Sequence, residues 1–200
     1  MHSHLNILRE RFKVFTISES TMQKRILPEN ITALVAEAKT NPAAFAGLYE
    51  HFVQPVYRYL YSRVGSLHDA EDLTSQTFMA AFEGLPRYRE RGHFAAWLFR
   101  IAQSKLMDYF RKNRSWVDIE EGLEKSGDAL DTLSDLIEDE ELKRIKLLIQ
   151  RLREDEQDLI RLRYVADLTF AEMAEVLGKR EDAVRKSLDR LLARLRSQLE

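Results

Sequence analysis

Six side chains near the C-terminal end could read a nucleic acid. Asp182, Arg185, Lys186, Asp189 and Arg190 share one side of a helix whose other side carries Val184, Leu188, Leu191, Leu192 and Leu195, and Arg180 stands just ahead of them. Long cations on such a helix can reach guanine O6 and N7 in a major groove, or the phosphates beside it. Lys186 lies almost opposite the apolar stripe, so it should project furthest, and Arg194 and Arg196 beyond it are left to phosphates or solvent. A second group spans residues 88–112, with Tyr88, Arg89, Arg91, His93, Trp97, Arg100, Lys105, Arg111 and Lys112. Aromatic rings offer flat surfaces to unstacked bases while the cations meet phosphates. Aromatics at helical spacing are also ordinary core residues, and both readings stay open for Trp97. A third group, His68, Asp69, Glu71 and Asp72, has metal-ligand types, but adjacent acids at a helix start usually complement its dipole.

These groups need helices to hold them, and the composition supplies helices. Seven glycines and four prolines among 200 residues, with long runs of Ala, Leu, Glu, Lys and Arg, point to an all-α protein. Thr169 and Glu172 have capping-box spacing, Gly178 suits a left-handed helix end, and a second helix starts near Glu181. That is a helix-turn-helix pattern, and residues 147–165 supply two more helices for a small bundle. Upstream, Asn41 and Pro42 open a helix whose stripe of Phe45, Leu48, Tyr49, Phe52, Val56, Leu60 and Val64 runs to Gly65, with a bend expected at Pro55. Ser66 and Asp69 cap the next helix, where Leu73, Phe78, Ala81 and Phe82 are available for packing until Gly84 and Pro86 end it. The polar loop RYRERGH then leads into a helix over residues 94–114.

Charge divides the chain. Residues 1–114 carry a net +5, residues 115–141 a net −10 and residues 142–200 a net +3. The acidic block is poor core material and reads as a linker with at most one short helix. No apolar run approaches the ~18–20 residues that span a bilayer, and no secretory pattern opens the chain, so no membrane insertion and a cytoplasmic location are expected. There is no cysteine, glycine-rich phosphate loop, HExxH or nucleophile elbow, so the reading is of a non-enzyme without catalytic residues, metal or cofactor.

Taken together, DAEDLTSQTF, RYRERGHFAAWLFRIAQSKLMDYFRKNR and the C-terminal helix-turn-helix resemble a bacterial RNA polymerase sigma factor of the extracytoplasmic-function (ECF) type. The resemblance covers roughly residues 42–114 and 142–197, in the family's order. It implies sigma domain two over residues 31–114 and sigma domain four over 142–200, joined by the 115–141 linker. Core RNA polymerase and promoter DNA become the expected partners, with an anti-sigma factor as regulator. Asp69, Glu71, Asp72 and Gln76 would face the polymerase clamp. Tyr88 to His93, including Arg89 and Arg91, would surround a base extruded from the minus-ten element, with Trp97 at the edge of the opened duplex. Arg100, Lys105, Arg111 and Lys112 would meet phosphates, Ser104 would belong to the same downstream DNA-binding set, and Arg180, Asp182, Arg185, Lys186, Asp189 and Arg190 would address the minus-thirty-five element. Ser75, Ser104, Lys179-Arg180 and Ser187 depart from the family pattern, so promoter preference does not carry over. The rival reading is a helix-turn-helix regulator that acts without being a polymerase subunit. Residues 1–30 lie outside the resemblance; HLNILRERFKVF could form an amphipathic helix or a partner-binding tail, and Met22 could be the true start.

Overall fold

A computed structural model describes residues 28–89, 92–117 and 140–199. The first helix, α1 (Pro28–Ala38), begins on a proline and turns Ile31, Leu34, Val35 and Ala38 inward at helical spacing. A 3-10 turn (Pro42–Ala44) follows, in which the Asn41 side chain accepts from the Ala43 N–H at 3.2 Å. It runs directly into α2 (Phe45–Val64), which passes through Pro55 unbroken and ends on Gly65. In α3 (Leu67–Gly84) the Ser66 hydroxyl accepts from the Asp69 N–H at 3.3 Å, the expected cap. A second 3-10 turn (Leu85–Arg87) and a loop lead to α4 (Phe94–Val117), which runs three residues past its expected end.

These four helices enclose an aromatic core. Tyr59 meets Phe99 edge to face at 5.4 Å, and Phe52 lies 5.4 Å from Phe94. Thr74 and Thr77 are buried too, their hydroxyls donating to the Ala70 and Leu73 carbonyls at 2.7 Å each. Phe82, expected to be available for packing, does pack but stays 46% exposed. It sits at the rim with its ring 5.1 Å from Phe45, because one turn earlier Phe78 already fills the interior position.

The C-terminal bundle consists of α5 (Glu140–Gln150), α6 (Glu154–Ile160), a widened π-type turn (Arg161–Val165), α7 (Phe170–Leu177) and α8 (Glu181–Leu199). Its core is Leu159, Ile160, Leu162, Met173, Val176 and the whole predicted stripe of α8. Arg194, expected to meet phosphate or solvent, pairs with Glu156 of α6 at 2.8 Å and pins α8 to the bundle.

The two bundles touch. α4 packs against α7, and α2 against the π-type turn. At the end of α2 the Arg63 guanidinium forks between Asp158 (2.8 Å) and Glu154 (2.6 Å) of α6. Most of the expected acidic linker, residues 118–139, and most of the N-terminal extension, residues 1–27, lie outside the described residues. Among the described residues no helix is long and apolar enough to cross a membrane.

Candidate nucleic-acid interface

The second helix of the helix-turn-helix, α8, is fixed by local chemistry at its entrance. Thr169 Oγ1 accepts from the Glu172 N–H at 3.2 Å, while Glu172 Oε2 accepts from the Thr169 N–H at 2.7 Å, the reciprocal capping box. Gly178 then takes φ 62°, which costs a side-chain-bearing residue roughly 1–2 kcal/mol, and lets the Lys179 N–H close on the Ala174 carbonyl at 2.9 Å. This turn sends α8 off with Val184, Leu188, Leu191, Leu192 and Leu195 buried and Asp182, Arg185, Lys186, Asp189 and Arg190 exposed. Arg180 is exposed as well, and its carbonyl accepts from the Ala183 and Val184 N–H groups in the first turn. Arg185 is engaged with its own module: it pairs with Glu181 at 2.8 Å and lies 4.3 Å over the Phe170 ring.

A second feature forms where α3, the following loop and α4 meet. Tyr88, Arg89, His93, Trp97 and Arg100, all expected site residues, line one cleft of about 250 Å³. Arg87 and Glu175 complete the lining, and sequence reasoning missed both. Trp97 is neither fully core nor fully surface. The Tyr88 ring lies 4.6 Å from it and the Phe94 ring 5.4 Å, while its other edge reaches the cleft. The indole fits because position 84 is glycine: a Cβ there would stand 3.2 Å from the Trp97 six-membered ring. Glu175 enters from α7, its Oε1 3.8 Å from His93 Nε2. Arg91 lies outside the described residues.

The remaining α4 candidates are not gathered into the cleft. Arg100, Ser104, Met107 and Arg111 fall on one exposed stripe at spacings of four, three and four, and Arg111 pairs with Asp108 at 2.9 Å. Lys105 is half-buried and Lys112 exposed, one position round from that stripe. The cleft therefore opens onto a basic helix face that runs away from it.

On α3 the four acidic and amide candidates separate. Asp69 is partly buried and accepts a hydrogen bond from the Tyr109 hydroxyl at 3.0 Å, so it braces α3 on α4. Burial and then this carboxylate push the Tyr109 phenol above its ordinary pKa. Glu71, Asp72 and Gln76 are exposed, and Asp72 and Gln76 continue along one side of α3 to Met79, which is 64% exposed. Among the described residues no group of three or more His, Asp or Glu could hold a metal ion.

The described chain is thus two helical bundles, one ending in a helix-turn-helix with an exposed outer face and the other carrying an aromatic and cationic cleft. Residues 48–115 match the family model for sigma-70 region 2, and residues 142–195 that for sigma-70 region 4. The chain is 32% identical over 199 residues to the ECF RNA polymerase sigma factor SigD of Mycobacterium tuberculosis, an alignment covering 94% of this chain and 92% of SigD. It is 36% identical over 170 residues to the ECF RNA polymerase sigma factor BldN of Streptomyces coelicolor, covering 81% of this chain but 64% of BldN. Its fold is similar to that of CnrH, solved in complex with the cytosolic domain of CnrY, with a TM-score of 0.61 at 25% identity over 84% of this chain and 96% of that one. The chain belongs to the ECF sigma factors.

Proposed function

We propose that this sigma factor binds core RNA polymerase, brings it to promoters with two recognition elements and helps open the DNA between them. The observation that carries the reading is the cleft, where an aromatic shelf of Tyr88 and Trp97 stands among Arg87, Arg89, His93 and Arg100. Unstacking a base costs a few kcal/mol, and a shelf that receives it among phosphate-binding cations offsets that cost. Residues 31–114 act as the melting and minus-ten domain, residues 142–200 as the minus-thirty-five domain, and residues 115–141 as the connector. Arg100, Ser104, Lys105, Arg111 and Lys112 track the opened strand away from the cleft, while Arg91 belongs to the loop around the extruded base. Glu71, Asp72 and Gln76 present the clamp-facing side of α3, with Asp69 bracing it from behind. The chain acts in the cytoplasm as a polymerase subunit, and catalysis belongs to the polymerase. A protein of the anti-sigma type restrains it; CnrH, whose fold it shares, was solved with CnrY bound.

Trp97→Ala tests the shelf. The variant holoenzyme should bind duplex promoter as the wild type does but expose permanganate-reactive thymines at least tenfold more slowly, the size expected for one lost stacking partner. Opening at the wild-type rate would return Trp97 to a packing role.

A further inference from the structure

Lys39 stands in the turn that follows α1, where a cation ordinarily serves the last carbonyls of its own helix. Here the Glu37 carbonyl is taken by the Thr40 and Asn41 N–H groups at 3.0 and 2.9 Å. The Lys39 ammonium instead donates to the backbone carbonyl of Tyr88, 49 residues away in sequence, and sits 5.6 Å from the centroid of the Tyr88 ring. One side chain thus holds both the backbone and the ring of the same residue.

That residue directly follows the 3-10 turn at the end of α3. The Tyr88 N–H donates to the Gly84 and Leu85 carbonyls at 3.2 and 3.1 Å, tying it to the end of α3. Its ring is fitted between Trp97 at 4.6 Å and Phe94 at 5.7 Å. On the far side, Gly92, at φ 79°, leads into α4. Lys39 itself does not line the cleft.

We propose that Lys39 is a positioning residue for promoter opening, holding Tyr88 as the fixed wall of the base-receiving cleft without touching DNA. The inference rests on the sigma-factor reading of that cleft. The physical reason is preorganisation. A charge-assisted bond to the carbonyl and a cation over the ring order the wall before any base arrives, so ordering is not charged against capture. A loose Tyr88 would still permit closed-complex binding, which depends on cations elsewhere, but would slow the step in which a base must find its seat.

The test uses full-length chain in holoenzyme on a promoter that the wild type opens, with Lys39→Met, Lys39→Arg and Lys39→Gln. Lys39→Met should slow the appearance of permanganate-reactive thymines about tenfold, the scale of one hydrogen bond to a charged group. Its closed-complex affinity, and the salt dependence of that affinity, should match the wild type. Lys39→Arg should restore opening, and Lys39→Gln, which keeps a donor without the charge, should fall between. A second readout needs no promoter: in a Trp116→Phe background, Lys39→Met should shift Trp97 emission to the red and raise its quenching by acrylamide, since Tyr88 no longer covers the indole. Opening at the wild-type rate, or unchanged quenching, overturns the proposal. So does a closed complex that loses about one counterion from its salt slope, because Lys39 would then be a phosphate contact. If Lys39→Met proves too unstable to assay, Lys39→Gln against Lys39→Arg decides the same question. A wild-type holoenzyme that opens no promoter at all would defeat the functional reading instead, and the Trp97 quenching would still report whether Lys39 holds the wall.

Discussion

Tyr59 is the most deeply placed phenol of the N-terminal bundle, 1% exposed and set edge to face on Phe99. Burial first, and then the Asp158 charge, push its pKa up to about 12, against a hydrogen bond with Gln103 and the guanidiniums of Arg63 and Arg161. The sign follows directly. The folded chain keeps the phenol proton while the unfolded chain gives it up above about 10, so stability must fall as pH rises from about 10 to about 12. At about 1.4 kcal/mol per pH unit the loss is on the order of 2–3 kcal/mol across that window. Urea midpoints measured between pH 9 and 11 should therefore fall, and Tyr59→Phe should flatten much of the fall. Tyr57 and Tyr109 are raised as well, chiefly by burial, so a smaller slope will remain. An equal slope in the variant would mean that Tyr59 is not the group responsible. Arg185 is a second residue whose partners matter: held by Glu181 and stacked on Phe170, it is less free to search a groove than Lys186.

α8 carries the next prediction as an element. With its apolar side locked against α6 and α7, only one side of the helix is exposed, and Lys186 and Arg190 stand on it one turn apart. Lys186→Ala and Arg190→Ala should relax sequence preference in the upstream promoter element while leaving the downstream preference intact, each removing roughly 1–3 kcal/mol of discrimination. A promoter-library selection with each holoenzyme checks this, and unchanged upstream sequences would mean that another element reads them. Elements of this kind were legible because their signals are local. Ser66, Thr169 with Glu172, and Gly178 each act within a few residues, so spacing alone located α3, α7 and α8. α1 was not singled out, since it precedes the strong Asn41-Pro42 signal and its own start lies on a bare Pro28. Lys39, Arg63 and Glu175 escaped for a different reason. Their partners lie 49, 95 and 82 residues away, at Tyr88, Asp158 and His93, and no periodicity encodes a contact between distant turns. The resemblance places Asp69 toward the polymerase clamp, and the Tyr109 hydroxyl that its carboxylate accepts from lies 40 residues on, where no spacing reveals it.

Across the whole molecule, the two bundles are joined by the acidic connector and by the Arg63 fork, and Glu175 of the C-terminal bundle reaches the cleft of the N-terminal one. For the cleft to receive DNA as proposed, this carboxylate would have to leave its place beside His93. On the proposed reading, core polymerase docks on the Asp72 side of α3. The most direct measurement is run-off transcription on a promoter library with bacterial core polymerase. Core with the wild-type chain should give discrete transcripts from a small subset of promoters. Core alone should give none, and core with Asp72→Arg should give none while that variant keeps its helical circular dichroism. Sequence-specific binding of the free chain to duplex operators, with no stimulated transcript and no effect of Asp72→Arg, would contradict the account.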